Sequence, residues 1–395
     1  MQVTFRMPRS ARAGLLLAFT AICLGAGVSA QNGPNQGHRV GAGLPFTLTW
    51  TQGVCRNCKT AHSISGVQFV ASNEAWAIGF MPPGETGEGD YSVLHTRDGG
   101  KSWTEIPEPW QHNSAPDVSF ANAREGWLRD MDIEAAETRL LETIDGGSHW
   151  RKLPPNDLFL NEVQYIGNGI GYATGYDIYK KQGYLIATLD HGRTWIKSLF
   201  PPKFSPDQMQ FSDSQHGVIA GCIDRRPAVI RTADGGRHWS VTSLDLPRAT
   251  SKDLQICDDM PDSLNFLDTQ HGWLLTSKHV FGLHDDKGSA VAWSTRDGGA
   301  SWTPVYHATF PAGREQFYSL NFLNAHLGVL LQSVMQKDES VGVLLYTTDG
   351  GNHWERIALP HQAWGCRRFD EALECAAGYN GFWLLKISPV SQKSN

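Results

Sequence analysis

Short alternations of apolar and polar residues run along most of the chain. Phe46–Thr51 (FTLTWT) is one such run, and its period of two is typical of a β-strand with one buried face. The first full unit contains four such runs, around Val67–Val70, Ala75–Phe80, Ser92–Thr96 and Trp103–Ile106. The pattern therefore predicts units of four antiparallel strands, preceded by one strand that has no earlier partner.

An eight-residue phrase recurs six times at matching places in these units. It begins with Thr, ends with Trp and centres on Asp-Gly-Gly or a close variant; the copies are TRDGGKSW (96–103), TIDGGSHW (143–150), TLDHGRTW (188–195), TADGGRHW (232–239), TRDGGASW (295–302) and TTDGGNHW (347–354). The glycines supply the positive φ angles of a tight turn, and the Asp carboxylate can accept hydrogen bonds from the amides after it. Each phrase predicts the turn between the third and fourth strands of its unit.

A second marker precedes each phrase. It is an aromatic residue followed seven positions later by an apolar or aromatic one, as in Phe69/Trp76, Phe120/Trp127, Tyr165/Tyr172, Phe211/Val218, Phe266/Trp273 and Phe322/Val329. Two markers in constant order, at intervals of roughly 45–60 residues, are typical of a propeller built from one repeated supersecondary unit.

The C-terminal tail offers three more strands, Gly365–Phe369, Leu373–Ala377 and Phe382–Ile387. Together with the N-terminal strand Phe46–Thr51 they add up to a seventh blade, and sharing a blade between the termini removes exposed sheet edges. We predict an all-β fold, a β-propeller of seven four-stranded blades in a single domain over residues 45–390. Six blades, with the tail packed beneath them, is the alternative.

The N-terminus and the charge restrict location and partners. Three arginines precede the apolar run Ala13–Val28, so residues 1–30 are interpreted as a signal peptide and residues 31–44 as a disordered leader. Removing those arginines lowers the formal charge from −6 to −9. We expect export to the periplasm or the exterior, no insertion into a membrane and no nucleic-acid partner.

The six aspartates of the repeated phrase invite a catalytic or metal-binding role. Because each occurs once per blade, they ring the molecule and cannot converge on one substrate. His149, His238 and His353 occupy a slot that holds Ser or Thr in the other copies, which disfavours metal ligation. We predict no catalytic residue, metal or cofactor here, and a structural role in the turn for Asp98, Asp145, Asp190, Asp234, Asp297 and Asp349.

Binding is expected on the face opposite these turns. The connections between second and third strands, and those from blade to blade, meet there and vary most between copies. Loops on a rigid scaffold commonly carry binding residues, although they can also be plain solvated connections. The candidate contacts are Trp110, Tyr176, Tyr179, Arg225, Arg226 and Arg314.

Six cysteines follow the predicted signal peptide, and an even number in an exported protein points to disulfides, although several pairings are formally possible. Predicted proximity favours Cys222 with Cys257, Cys366 with Cys375, and Cys55 with Cys58. The last pair is a C-x-x-C sequence after the first strand. A local bridge is preferred there to a redox or metal role, because no helix N-terminus is available to activate a thiolate.

The repeated phrase resembles the Asp-box, also called the bacterial neuraminidase repeat. Together with NEAWAIG (73–79), REGWLRD (124–130) and QHGWLLT (270–276), it is similar to the photosystem II stability/assembly factor family over essentially all of residues 46–387. That resemblance implies a secreted or lumenal propeller that holds a partner protein. We therefore expect a non-enzymatic, monomeric binding protein that acts as a scaffold for assembly or stability of a complex.

Asp-box propellers also include sialidases and other glycosidases. The alternative is therefore a secreted sialidase-like glycoside hydrolase, or a glycan-binding propeller. A sialidase needs an arginine cluster for the substrate carboxylate and a Phe-Arg-Ile-Pro entry motif, in whose place this chain has Leu44–Leu48 (LPFTL). Arg225 and Arg226 are adjacent in one loop, which does not make a clamp from three blades.

Overall fold

The computed structural model describes residues 43–58, 61–81, 90–106, 116–132, 137–154, 159–177, 180, 182–244, 260–278, 287–311, 314–337, 339–378 and 381–390. These residues form twenty-eight β-strands, and the described part of the chain contains no helix. The all-β prediction is confirmed. The predicted signal peptide and nearly all of the predicted leader lie outside the described residues.

After an initial long strand, the strands follow one another in six groups of four and a last group of three. Their bounds are β1 Phe46–Arg56, β2 Ser63–Ala71, β3 Glu74–Met81, β4 Asp90–Thr96, β5 Ser102–Glu105, β6 Asp117–Phe120, β7 Gly126–Asp132, β8 Glu137–Thr143, β9 Arg151–Lys152, β10 Phe159–Gly167, β11 Ile170–Asp177, β12 Gln182–Thr188, β13 Ile196–Leu199, β14 Phe204–Phe211, β15 Gly217–Ile223, β16 Arg226–Thr232, β17 Ser240–Ser243, β18 Met260–Phe266, β19 Gly272–Lys278, β20 Lys287–Thr295, β21 Thr303–Pro311, β22 Glu315–Phe322, β23 Gly328–Gln336, β24 Glu339–Thr347, β25 Glu355–Ala358, β26 Ala363–Phe369, β27 Ala372–Ala377 and β28 Phe382–Pro389.

The sheets are the blades of a propeller. Strands β6–β9, β10–β13, β14–β17, β18–β21 and β22–β25 each form a four-stranded antiparallel sheet, which gives blades two to six. Blade one (β2–β5) and blade seven (β26–β28 with β1) are joined in one eight-stranded sheet. The first strand of each blade contacts the first strand of the next, and β26 contacts β2, so the ring closes. The prediction of seven blades is confirmed.

Strand β1 closes the ring by pairing with both terminal blades. It runs antiparallel to β28 from Phe46 opposite Pro389 to Gly53 opposite Phe382. Its last residues, Val54–Arg56, then pair in parallel with β5 of blade one. The strand is therefore longer than the predicted Phe46–Thr51, because its pairing continues onto a second blade. Cys55 accordingly lies within the strand and not after it.

The aromatic markers join neighbouring blades. Trp76 of blade one stacks on Phe120 of blade two, with ring centroids 4.2 Å apart. Tyr172 stacks on Phe211 in the same way at 3.7 Å, between blades three and four. In both pairs the second marker of one blade covers the first marker of the next. The repeated spacing in the sequence thus builds the apolar contacts between blades.

Disulfides join the predicted partners in two places. Cys366 in β26 is bonded to Cys375 in β27, and Cys55 is bonded to Cys58. Cys222 is disulfide-bonded, whereas Cys257 lies outside the described residues, so their pairing stays a prediction.

Where residues are described, no helix is long and apolar enough to cross a membrane.

Candidate functional site

The Asp-box turns have one shared geometry, seen clearly in blade five. The Thr295 hydroxyl and the backbone N–H of Ser301 donate to Oδ1 of Asp297 at 2.8 and 2.9 Å, and the Ser301 hydroxyl donates to Oδ2 at 2.6 Å. The glycine pair has φ angles of 68° and 86°, which favour residues without a Cβ. The N–H of Gly298 donates to the Gln270 carbonyl, which ties this turn to the first hairpin of its blade. The carboxylate is therefore engaged within its own turn.

Three copies place histidine where others have Ser or Thr. Nδ1 of His149, His238 and His353 lies 2.7, 2.6 and 2.5 Å from Oδ2 of the aspartate four residues earlier. This is the same contact that the Ser301 hydroxyl makes. Among the described residues, no group of three or more His, Cys, Asp and Glu side chains is arranged to hold a metal ion.

Replacing Asp297 with Ala is expected to lower the free energy of unfolding by about 1–3 kcal/mol, because three hydrogen bonds in the turn are lost. The hydrogen bond from the Ser301 side chain lowers the pKa of Asp297 to about 2. Since this folded pKa is depressed, the contribution is complete above the ordinary value and is lost as the pH falls toward 2. The difference between wild type and variant in urea unfolding should therefore shrink in acid.

The control for this variant is Glu371→Ala, because Glu371 is exposed in the turn between β26 and β27 and should matter little. Binding of any partner should survive Asp297→Ala. Unchanged stability together with lost binding would contradict the structural role of the aspartate.

We call the face that carries the Asp-box turns the Asp-box face, and the opposite one the variable rim. Trp110 and Tyr179, two of the predicted contacts, lie outside the described residues. Tyr176 lies at the end of β11, half-buried. Arg225, with φ of 67°, lies in the turn between β15 and β16, and Arg226 begins β16. Exposed Arg314 precedes β22.

These residues share a rim but not one place on it. Tyr176 belongs to blade three, Arg225 and Arg226 to the neighbouring blade four, and Arg314 to blade six. Blade five separates the two arginine positions. Tyr176 and the arginine pair therefore lie on neighbouring blades, whereas Arg314 lies two blades away from the pair.

Sequence reasoning missed a ring of amide side chains between the inner strands. The Gln68 side chain accepts the N–H of Phe120 at 2.9 Å and donates to its carbonyl at 2.8 Å. Gln164 and Gln210 bind the backbone of Phe211 and Phe266 in the same way. Each glutamine immediately precedes the first aromatic marker of its blade. A glutamine directly before the first aromatic marker was therefore the feature of the sequence that could have revealed these contacts.

A charged group of side chains lies at the inner strands; we call Asp117, Arg129, Glu162, Asp207 and Arg367 the channel cluster. Arg367 of blade seven donates to the Val118 carbonyl of blade two at 3.2 Å and lies 3.6 Å from the Asp117 carboxylate. Burial, followed by the charges of Asp117 and Asp207, raises the pKa of Glu162 well above its usual value. Burial likewise lowers the pKa of Arg129.

Irregularities in the inner strands place this cluster near the variable rim. The pairing of β10 with β11 shifts between Leu160 and Val163, and that of β14 with β15 shifts between Pro206 and Gln208. A bulge adds a residue to one strand and redirects its side chain. Glu162 and Asp207 lie at these shifts, in the halves of their strands that are distant from the Asp boxes. The channel mouth at the variable rim therefore combines carboxyl and guanidinium groups.

Seven blades, a ring closed by a shared N-terminal strand and six similar turns on one face define the chain as a β-propeller. The protein resembles the photosystem II stability/assembly factor family. It is 28% identical over 151 residues to the photosystem II assembly lipoprotein Ycf48 of Synechococcus sp. (strain CC9902). That segment is 38% of this chain and 36% of the relative, so the match spans about a third of the relative's length. No protein-family model matches the chain.

Two solved structures of Ycf48 have a similar fold. One, described as bound to a D1 peptide, superposes with a TM-score of 0.57 at 17% identity and covers 88% of this chain and 96% of its own. The other, from Cyanidioschyzon merolae, gives a TM-score of 0.54 at 15% identity, with 86% and 98% covered. At these identities the likeness establishes the propeller fold.

Proposed function

We propose that this protein is an exported binding propeller that holds a protein partner at its variable rim and serves the assembly or stability of a complex. The observation that carries the proposal is the 151-residue similarity to a photosystem II assembly protein, on a fold whose similar solved structure is described as peptide-bound. The partner of this chain need not be a photosystem protein, since only part of the relative is matched.

The variable rim has side chains suited to a polypeptide. Arg226 and Arg314 are exposed, and half-buried Tyr176 lies on the blade next to Arg226. Arginine and tyrosine are enriched at the centres of protein interfaces, because they combine a large contact area with hydrogen bonding. The channel cluster adds carboxyl and guanidinium groups at the same end of the molecule. These features support contact with an extended partner across blades three and four.

Charge and disulfides favour an exported protein as opposed to a nucleic-acid binder. Lysines and arginines number 34 against 40 acidic residues, which does not suit a polyanionic partner. The Cys366–Cys375 and Cys55–Cys58 bridges are expected to persist in an oxidising compartment such as a periplasm. We propose that the mature protein acts there as a monomer.

The test is a cross-linked pull-down of the tagged mature protein from its own cell envelope, followed by mass spectrometry. We expect one dominant protein at near-stoichiometric yield. Replacing Arg225 and Arg226 together with Ala should reduce that yield while thermal unfolding stays unchanged. Arg237→Ala is the matched control, because exposed Arg237 lies on the same blade at the Asp-box face.

Equal capture by the double variant would remove these arginines from the contact. Recovery of glycans instead of a protein, together with hydrolysis of a sialoside substrate, would replace the proposed function with the carbohydrate alternative.

A further inference from the structure

A cavity of about 220 Å³ opens on the Asp-box face between blades five and six. We propose that it is a second binding site, which takes the carboxylate of an acidic side chain of a polypeptide. The site goes beyond the proposed function, because it lies on the face opposite the variable rim and needs no residue from that rim.

A small cross-strand neighbour borders the cavity. Trp273 of β19 lies opposite Ser294 of β20. At the same place in blade one, Trp76 lies opposite His95, whose ring stacks on the indole with centroids 4.2 Å apart. In blade two, Trp127 lies opposite Glu142. Serine is too short to cover the indole in this way, which leaves space above Trp273.

The floor of the cavity is rigid and apolar. Trp273 is 4% exposed, and it stacks on Phe322 of blade six with ring centroids 3.9 Å apart. Ala325, in the first turn of blade six, adds another apolar surface. A wall fixed by stacking between blades does not have to be ordered when a ligand binds, which lowers the cost of binding. The short methylene stem of an acidic residue would pack here.

The mouth of the cavity carries hydrogen-bond donors, and none of the described residues that line it is acidic. Arg296 and His326 are exposed at its edge, and His271 lines it from the first turn of blade five. Nδ1 of His271 lies 2.9 Å from Asp268, which orients the ring. An arginine guanidinium binds a carboxylate through paired hydrogen bonds, and the imidazole N–H of His326 can add another. The lining therefore favours an anion over a neutral or cationic group.

The lining favours an amino-acid carboxylate over a sugar. The Thr295 hydroxyl is already used within its turn, where it donates to Asp297 and accepts the N–H of Gly299. Ser294 is then the side-chain hydroxyl left in the lining for a hydroxyl-rich ligand. The volume is also below the roughly 300–1,000 Å³ of common small-molecule pockets. One carboxylate on a short stem satisfies this lining better than a pyranose ring.

Saturation-transfer NMR on the full mature protein tests the site with the α-amides of N-acetylglutamate and N-acetylglutamine as probes. We expect the glutamate probe to bind saturably and the glutamine probe to bind roughly tenfold more weakly, since its side chain lacks the charge and the α-amide removes the other carboxylate. Ser294→His should abolish the signal, because a histidine at this position would cover Trp273 as His95 covers Trp76 in blade one. Arg296→Gln should weaken binding by about tenfold.

Arg97→Gln is the matched control, because Arg97 holds the position of Arg296 in blade one, where His95 occupies the space. Binding should be unchanged in this variant. Equal binding of the two probes, or a signal retained in folded Ser294→His, would overturn the site. Tighter binding of N-acetylneuraminate than of the glutamate probe would overturn the assignment to polypeptides. Capture of a partner at the variable rim should be unaffected by any of these variants.

Discussion

Removing residues 1–53 is expected to prevent stable folding, whereas removing residues 1–42 should leave the propeller intact. The longer deletion takes away the whole segment of β1 that pairs with β28, from Phe46 to Gly53. Phe46 is 2% exposed and Leu48 8% exposed, and Phe46 packs edge-on against Tyr346 of blade six. Loss of a buried Phe and a buried Leu costs roughly 5–10 kcal/mol together, which is comparable to the total stability of a domain.

The free edge of β28 would add a second penalty, since an unpaired apolar strand is a template for association. Size-exclusion chromatography and thermal unfolding of the two truncated proteins test this prediction. We expect a monomer with a cooperative transition for the shorter deletion and aggregates for the longer one. A cooperative monomer without residues 1–53 would show that the other six blades and the remaining strands hold together without β1.

The sequence predicted the elements of the fold better than their contacts. The Asp-Gly-Gly turns, the strands beside them and the shared seventh blade depend on local turn chemistry and alternation, which single residues reveal. The spacing from Phe69 to Trp76 was visible too. The stacking partners of these rings depend on how neighbouring blades pack, which the local sequence does not show. Trp76, for example, stacks on Phe120 of the next blade.

The candidate site was harder to predict from the sequence for the same reason. Glu162 and Asp207 come together with Asp117 through bulges in the inner strands, and a bulge has no fixed residue signature. The cavity above Trp273 is lined by residues of two blades that are distant in the sequence. By contrast, the amides that precede the aromatic markers could have been found by alignment of the repeats. Trp110 and Tyr179 stay predictions.

The contribution of the contacts between blades to stability is best tested at Trp76. Its ring is fully buried between His95 of its own blade and Phe120 of blade two, at 4.2 Å from each. Trp76→Ala removes both stacks and opens a cavity, so the free energy of unfolding should fall by roughly 3–5 kcal/mol. Urea unfolding measures the loss. Val241→Ala is the control, because Val241 is 47% exposed and should change stability by less than about 0.5 kcal/mol.

A second readout separates loss of the stack from a general loss of stability. Burial lowers the pKa of His95, against the opposing effect of its hydrogen bond with Glu74. When the indole is removed, water reaches the imidazole, so the pKa of His95 should rise while the Glu74 contact remains. NMR titration of the folded variant would follow this rise. If the pKa stays at its wild-type position while stability falls, the cost arises from Phe120 and blade two, and Trp76 does not shield His95.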